Sequence, residues 1–127
     1  MKKRILLAED HPGTIEVMQL ELEVLGFDVI VAQNGLEAVE KATAESPDLI
    51  VMDMLMPKMD GFQAAASIRQ SPKTKGIPIL AATALARPGD REKCLESGCD
   101  GYIAKPFTHR QLGAAIQRIL EPQADFA

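Results

Sequence analysis

Residues 49–61 read LIVMDMLMPKMDG, and this stretch decides the fold. Its first four residues form an uninterrupted apolar run, which is typical of a strand covered on both faces in a parallel sheet. The run stops at Asp53, and a loop containing Pro57 then leads to Gly61. This order predicts a carboxylate at the C-terminal end of a buried strand, the position where open α/β sheets bind their ligands.

Short apolar runs alternate with amphipathic stretches along the rest of the chain, as is typical of βα units in a parallel sheet. The predicted strands are residues 5–8, 27–32, 48–52, 77–82 and 101–104. Apolar residues at positions 15, 18, 22 and 25 have helical spacing, and Gly26 is placed to end that helix. Further helices are predicted at 36–44 and 61–70, after an N-cap at Asp90, and after Thr108. We therefore expect one α/β domain over residues 1–121, followed by a tail of residues 122–127.

Composition excludes several classes of protein. The 127 residues are 46% apolar and 25% charged, which is usual for a globular domain with its own core. A net charge of −4 and the lack of a basic run argue against direct binding to nucleic acid or to anionic membranes. The apolar runs are too short to cross a bilayer, and the N-terminus has no cleavage-site pattern, so we expect a cytoplasmic protein without membrane insertion. Cys94 and Cys99 lack metal-ligand spacing and are expected to be small buried residues.

Polar residues also follow three of the other predicted strands. Glu9 and Asp10 come after the first strand, Thr83 after the fourth and Lys105 after the fifth. Carboxylates that share one edge of a sheet repel one another unless a cation is present, and Mg²⁺ prefers a few carboxylates together with water and phosphoryl oxygens. The pattern therefore predicts a site for a divalent metal and a phosphoryl group, with Asp10 and Asp53 as direct ligands and Glu9 acting through water.

Four segments occur in a characteristic order: LLAED at 6–10, LIVMDMLMPKMDG at 49–61, ILAATA at 79–84 and GYIAKPF at 101–107. In this order the chain resembles the receiver domain of two-component response regulators, including chemotaxis regulators, over residues 3–120. The resemblance implies a doubly wound, five-stranded parallel sheet in a (βα)5 flavodoxin-like fold with strand order 2-1-3-4-5.

The resemblance also implies roles for the site residues. Asp53 would accept a phosphoryl group from the histidine of a kinase in the presence of Mg²⁺, and Lys105 would neutralise charge through a cis Lys105–Pro106 bond. The backbone carbonyl of Leu55 would be a further metal ligand. Thr83 would be a switch hydroxyl, coupled to Tyr102, that donates a hydrogen bond to the phosphoryl group.

The expected partners are a histidine kinase or a histidine phosphotransfer protein, together with a downstream effector protein. The resemblance places the effector surface on the fourth helix, the fifth strand and the fifth helix, at residues 87–120. No output domain follows within these 127 residues, so we expect the signal to pass by protein contact or by phosphoryl relay. The stretch GDREKCLESG at 89–98 resembles receivers of hybrid histidine kinases more than those fused to DNA-binding domains. Both a free-standing regulator and a kinase module stay open, as does phosphorylation-dependent homodimerisation.

Two other functions fit the sequence less well than the signalling switch. A Mg²⁺-dependent phosphohydrolase with an aspartyl-phosphate intermediate usually carries an acid two residues after its nucleophile, where this chain has Leu55. A nucleotide-binding flavodoxin-like protein would need a glycine-rich loop after the first strand, where this chain has Glu9 and Asp10. We therefore expect no turnover enzyme. Leu55 and Leu85 lie two residues after Asp53 and Thr83. Receivers often carry polar residues at these positions that help to order a hydrolytic water, so two leucines predict slow self-dephosphorylation.

Overall fold

The computed structural model describes residues 2–121, in which five parallel strands alternate with five helices. The strands are β1 Arg4–Ala8, β2 Asp28–Ala32, β3 Leu49–Met52, β4 Ile79–Thr83 and β5 Gly101–Ala104. The helices are α1 Pro12–Val24, α2 Gly35–Glu45, α3 Gly61–Gln70, α4 Asp90–Glu96 and α5 His109–Leu120. The strand order is β2-β1-β3-β4-β5, which confirms the predicted doubly wound sheet. The predicted tail at 122–127 lies outside the described residues.

Side chains of the strands alternate between two cores, one on each face of the sheet. All four residues of β3 are fully buried, with Ile50 and Met52 in one core and Leu49 and Val51 in the other. Helices α2, α3 and α4 complete the core that contains Ile50 and Met52, through Ala38, Ala42, Ala64, Ala65, Ile68 and Cys94. Helices α1 and α5 complete the core that contains Leu49 and Val51, through Met18, Leu22, Leu112 and Ile116. Burial on both faces explains why β3 is a continuous apolar run.

The two cysteines are buried and free, as predicted. Burial raises the pKa of Cys99 to about 11, so its thiol stays protonated at neutral pH. None of the helices between residues 2 and 121 is both long and apolar enough to cross a membrane.

Side-chain caps fix the starts of three helices close to the C-terminal edge of the sheet. Asn34 accepts the backbone N–H of Glu37 at the start of α2, while Asp60 and Thr108 form capping boxes at α3 and α5. The predicted cap at Asp90 is wrong. Gly89 occupies the N-cap of α4 with φ of 92°, and the Asp90 carboxylate instead accepts the backbone N–H of Arg87 at 2.8 Å. Asp90 thus closes the turn before the helix.

The predicted bounds of β4, 77–82, also differ from the structure, in which β4 is Ile79–Thr83. Ile77 is buried, but its backbone N–H donates to Thr74 in a turn at 3.0 Å, so its burial reflects packing of that turn. At the other end the carbonyl of Thr83 accepts the N–H of Lys105 at 2.9 Å, which extends the pairing of β4 with β5 by one residue.

One arginine ties together the N-terminal ends of β4 and β5. The Arg69 guanidinium, on α3, donates to three backbone carbonyls and one carboxylate: those of Gly98 at 2.9 Å, Lys75 at 3.0 Å, Ile77 at 2.7 Å and Asp100 at 2.8 Å. The same Asp100 oxygen accepts the N–H of Ile79 at 2.8 Å. This Arg69 network, comprising Arg69, Asp100 and these backbone groups, lies at the edge of the sheet opposite to Asp53.

Candidate functional site

Backbone pairing brings the ends of β1, β3, β4 and β5 to the same edge of the sheet. Met52 lies beside Ala8, and the N–H of Asp53 donates to the carbonyl of Ala8 at 2.9 Å. Glu9, which follows Ala8, therefore lies next to Asp53. Because successive parallel strands run in register here, the side chains that follow them project into one shallow cleft, as the sequence predicts.

Three carboxylates share this cleft. One oxygen from each of Glu9, Asp10 and Asp53 lies within 4.8 Å of the other two. Glu9 and Asp53 are only 2% and 9% exposed, whereas Asp10 is exposed to solvent. Hard oxygen donors grouped around an open position fit a divalent cation such as Mg²⁺, which keeps several waters when it is bound by a few carboxylates.

Lys105 is the cation nearest to this cluster. Its Nζ lies 2.7 Å from Glu9 Oε1 and 3.6 Å from Asp53 Oδ2. The Lys105–Pro106 peptide bond is cis, in agreement with the expectation from the resemblance. The second carboxylate oxygen of Glu9 accepts the backbone N–H of His11 at 3.2 Å. Both oxygens of Glu9 are therefore engaged, whereas Asp10 is exposed to solvent and Asp53 Oδ2 lies beyond hydrogen-bond distance of Lys105.

The environment of Asp53 makes ionisation of its carboxyl group less favourable than in water. Burial is the largest influence and raises the pKa of Asp53 above its ordinary value of 3.8. The N–H of Leu55, which donates to Asp53 Oδ1 at 3.1 Å, and the ammonium of Lys105 both lower this pKa. The charges of Glu9 and Asp10 raise it, and the net direction is upward. A cation in the cleft would favour the ionised, nucleophilic carboxylate.

Thr83 and Tyr102 meet through a backbone group rather than directly. Thr83 is fully buried, and its Oγ1 accepts the N–H of Leu85 at 3.3 Å. The hydroxyl of Tyr102 donates to the carbonyl of the same Leu85. The backbone of Leu85 thus links the two predicted switch residues. A backbone link of this kind leaves no signal in residue types, and the sequence interpretation missed it.

Two glycines hold the loop at residues 54–60, which follows Asp53. A Cβ on Gly35 would lie 2.0 Å from the carbonyl oxygen of Met59, to which the N–H of Gly35 donates at 2.9 Å. A Cβ on Gly61 would lie 2.6 Å from the Cα of Met54 and 2.7 Å from the carbonyl oxygen of Asp53. Only glycine permits these close approaches. An Asn34–Gly35 pair is typical of a turn, and the contact that Gly35 makes across the fold cannot be seen from the sequence.

An open, largely apolar cavity of about 620 Å³ adjoins the cleft between α1 and the segment that follows β5. Lys105 and Phe107 line one side of it, and Val17 of α1 lines the other. Three apolar side chains of α1 are exposed at helical spacing, Val17 at 58%, Leu20 at 62% and Val24 at 69%. The helix α1 thus presents a second apolar stripe to solvent, in addition to the one that packs in the core.

Residues 5–117 match the family model of the response regulator receiver domain, and the chain belongs to this family. It is 41% identical over 120 residues to the alkaline phosphatase synthesis transcriptional regulatory protein PhoP of Bacillus subtilis, covering 94% of this chain and 49% of PhoP. It is 35% identical over 117 residues to the DNA-binding dual master transcriptional regulator RpaA of Synechocystis, covering 92% and 48%. The chain therefore spans about half the length of these relatives.

Solved receiver domains are similar along almost their whole length. The receiver domain of a sensor histidine kinase from Pseudomonas aeruginosa, solved with a magnesium ion coordinated in its active site cleft, is 38% identical with a TM-score of 0.88 over 94% of this chain and 98% of that one. The similar proteins thus include regulators of transcription and the receiver of a sensor histidine kinase, and the choice between a free-standing regulator and a kinase module stays open. Because the names of PhoP and RpaA describe transcriptional regulators, the absence of direct nucleic-acid binding stays a prediction for residues 1–127.

Proposed function

We propose that this receiver domain is a phosphorylation-activated switch in which Asp53 accepts a phosphoryl group from a histidine of a kinase or of a phosphotransfer protein. The observation that carries the proposal is the position of Asp53 at the mouth of the cleft. Its carboxylate is grouped with those of Glu9 and Asp10 and lies 3.6 Å from the Lys105 ammonium. Nucleophile, metal ligands and cation thus share one site, as phosphoryl transfer requires.

In the proposed reaction an oxygen of Asp53 attacks phosphorus and the bond from phosphorus to the imidazole nitrogen breaks. The bonding electron pair returns to that nitrogen, which takes up a proton. Lys105 is close enough to pair with a phosphoryl oxygen and to stabilise the charge of the transition state.

The metal site would be formed by the carboxylates of Asp10 and Asp53 and the backbone carbonyl of Leu55, with Glu9 acting through water. Bound Mg²⁺ supplies neutralisation of the phosphoryl oxygens. The donor chemistry and the 4.8 Å grouping support this assignment. The engagement of Glu9 by Lys105 at 2.7 Å supports its indirect role.

The switch would begin with the Thr83 hydroxyl, which donates a hydrogen bond to the new phosphoryl group. Thr83 Oγ1 also accepts the N–H of Leu85, so a movement of Thr83 displaces this loop. Tyr102 follows because its hydroxyl is bonded to the carbonyl of Leu85. Tyr102 lies on β5, so phosphorylation would shift a pre-existing equilibrium in the surface formed by α4, β5 and α5.

The phosphohydrolase alternative finds no support at the site. Such an enzyme needs an acid near the leaving group, and the residue two positions after Asp53 is Leu55, whose side chain is apolar and 51% exposed. The relatives are also regulators rather than turnover enzymes. The same leucine supports slow loss of the phosphoryl group, since it cannot orient a hydrolytic water.

The proposal is tested by incubating the protein with acetyl phosphate and Mg²⁺ and recording its intact mass. We expect a gain of one phosphoryl group that is absent from Asp53→Asn and from samples with excess chelator. Labelling of Asp53→Asn to the wild-type extent would refute Asp53 as the acceptor. No labelling of the wild type, either by acetyl phosphate or by a phosphorylated histidine phosphotransfer protein, would refute the switch.

A further inference from the structure

The cavity of about 620 Å³ that adjoins the cleft begins at the candidate site itself. Lys105 lines it, and the Nζ of this lysine lies 3.6 Å from Asp53 Oδ2. Two more residues of its wall, His11 and Ala84, each directly follow a residue of the site in the chain. The volume falls within the range of sites for small molecules. A molecule that has its phosphoryl group at Asp53 can therefore extend into this cavity.

The wall of the cavity is mainly apolar beyond Lys105. Val17 and Met18 of α1 form one side, and Pro106 and Phe107 form the other. Val17 is 58% exposed, and Phe107 is only partly buried against the core. Apolar surface of these side chains therefore faces the open space, where its transfer from water to an apolar ligand would be favourable.

The polar side chains of the wall favour a neutral ligand at the far end of the cavity. His11 Nδ1 lies 3.4 Å from Thr14 Oγ1, so these two side chains are within hydrogen-bond distance of each other. Glu21 follows two helical turns after Thr14 on α1, about 10 Å farther from the start of that helix. The helix has no basic residue between positions 12 and 24. A second anionic group on a donor would therefore meet the carboxylate of Glu21, whereas a neutral apolar group would cover the wall.

We propose that this cavity holds the acyl part of a small phosphoryl donor, so that the domain accepts phosphoryl groups from acyl phosphates with a larger, neutral and apolar acyl group faster than from acetyl phosphate. The inference rests on the proposed function, because it requires Asp53 to be the acceptor. In this reaction an oxygen of Asp53 forms a bond to phosphorus while the bond from phosphorus to the acyl oxygen breaks. The electron pair of that bond stays on the oxygen, which leaves as a carboxylate, and no proton is transferred.

Contact between the acyl group and the wall is expected to act at low donor concentration. Binding that is equally strong in the ground state and in the transition state raises the second-order rate constant, although it leaves the saturated rate unchanged. A fully buried methylene group changes binding by about fourfold. Because the cavity is open, we expect about twofold per methylene group, hence about fourfold for butyryl over acetyl phosphate and about tenfold for benzoyl phosphate.

The test uses the full chain with acetyl, butyryl and benzoyl phosphate at equal, low concentrations and with saturating Mg²⁺. Intact mass follows phosphorylation over time and distinguishes a phosphoryl adduct from an acylated lysine, and Asp53→Asn reports any phosphorylation at other residues. The quantity compared is the ratio of the rate constants for benzoyl and acetyl phosphate. A change in this ratio between variants is independent of the intrinsic reactivity of each donor.

Val17→Asn and Leu20→Asn form a matched pair of variants. Both positions carry exposed apolar residues of α1, at 58% and 62%, but only Val17 lines the cavity. Val17→Asn should lower the ratio by about threefold, because it places an amide against the apolar acyl group. Leu20→Asn should keep the wild-type ratio. Substitutions at exposed positions change stability little, so both variants should keep the urea midpoint of the wild type.

Equal ratios in the wild type and Val17→Asn, or labelling by benzoyl phosphate no faster than by acetyl phosphate, would overturn the inference while the switch stands. The same conclusion follows if a phosphorylated histidine phosphotransfer protein labels Asp53 but no acyl phosphate does. Absence of labelling by every donor would refute both. A wild-type dimer that Val17→Asn dissociates on gel filtration would also overturn the inference, because a second copy of the chain would then occupy the cavity.

Discussion

Replacing Gly35 by alanine is expected to disturb the site from the far end of the loop at residues 54–60. The new Cβ would lie 2.0 Å from the carbonyl oxygen of Met59, and side-chain carbons do not approach such atoms closer than 3.0 Å. Either α2 or the loop must therefore move by about 1 Å or more. Overpacking of this size costs about 1–3 kcal/mol. With an unfolding entropy of about 2 cal/mol/K per residue, this lowers the melting temperature by roughly 4–11 °C.

The same displacement is expected to slow phosphorylation. The loop carries the backbone carbonyl of Leu55, which is proposed as a metal ligand, and a misplacement of about 1 Å can reduce a rate by up to roughly 100-fold. We therefore expect Gly35→Ala to be labelled by acetyl phosphate at least about tenfold more slowly than the wild type at saturating Mg²⁺.

Gly76→Ala is the matched control, because a Cβ at Gly76 would meet nothing within 4 Å. This variant should be neutral or more stable by about 0.4–1 kcal/mol, through reduced entropy of the unfolded chain. Urea unfolding and the time course of labelling, measured on both variants, test whether the Gly35 contact positions the loop at residues 54–60. If Gly35→Ala matches Gly76→Ala in urea midpoint and in labelling rate, the glycine contact has no role in positioning the loop.

Three further outcomes follow from the site and the core. In metal-free buffer Asp53→Asn should melt above the wild type. Burial raises the pKa of Asp53 in the folded state above 3.8. The contribution of Asp53 to folding stability is therefore fully present below pH 3.8 and is lost as the pH rises through the folded-state pKa. The stability advantage of Asp53→Asn over the wild type should grow over this pH range. Scanning calorimetry at a series of pH values tests this expectation, and an Asp53→Asn variant that melts below the wild type at neutral pH would contradict it. Mg²⁺ should stabilise the wild type more than the variant. Arg69→Lys, which cannot keep four directed hydrogen bonds, should lose about 2–4 kcal/mol in urea unfolding while its rate of labelling stays within about twofold. Unchanged stability would refute the importance of the Arg69 network. The phosphorylated protein should persist for minutes in Mg²⁺ buffer, and Leu55→Asn should shorten its lifetime; decay of the wild type within seconds would show that Leu55 and Leu85 do not hinder hydrolysis.

The order of the elements and the positions of the candidate site residues at the edge of the sheet could be predicted because both depend on local pattern. A strand buried on both faces requires a continuous apolar run, and the polar residue that ends the run must lie at the edge of the sheet. Asp53, at the end of the fully buried β3, is located in this way. The site geometry then follows from the parallel register, which places Ala8 beside Met52 and Thr83 beside Ala104.

Contacts that use backbone atoms or cross the fold could not be predicted. The pairing of Lys105 with Glu9 joins residues 96 positions apart in the chain. The bond from Tyr102 to Leu85 uses a carbonyl group that every residue has. The start of β4 was misplaced because Ile77 is apolar and buried although it lies in a turn. Hydrophobicity reports burial, and it does not distinguish a buried turn from a buried strand.

The Arg69 network, which stabilises the domain, lies apart from the residues proposed to set the lifetime of the phosphoryl group. It fastens the sheet at the edge where no chemistry is proposed, whereas the residues proposed to set phosphoryl lifetime lie at the other edge. Substitutions accumulated during adaptation to a warmer or colder habitat can therefore fall around Arg69 without altering how long a signal lasts. Conversely, the proposed role of the exposed residue Leu55 in phosphoryl lifetime can be altered far from the contacts of Arg69.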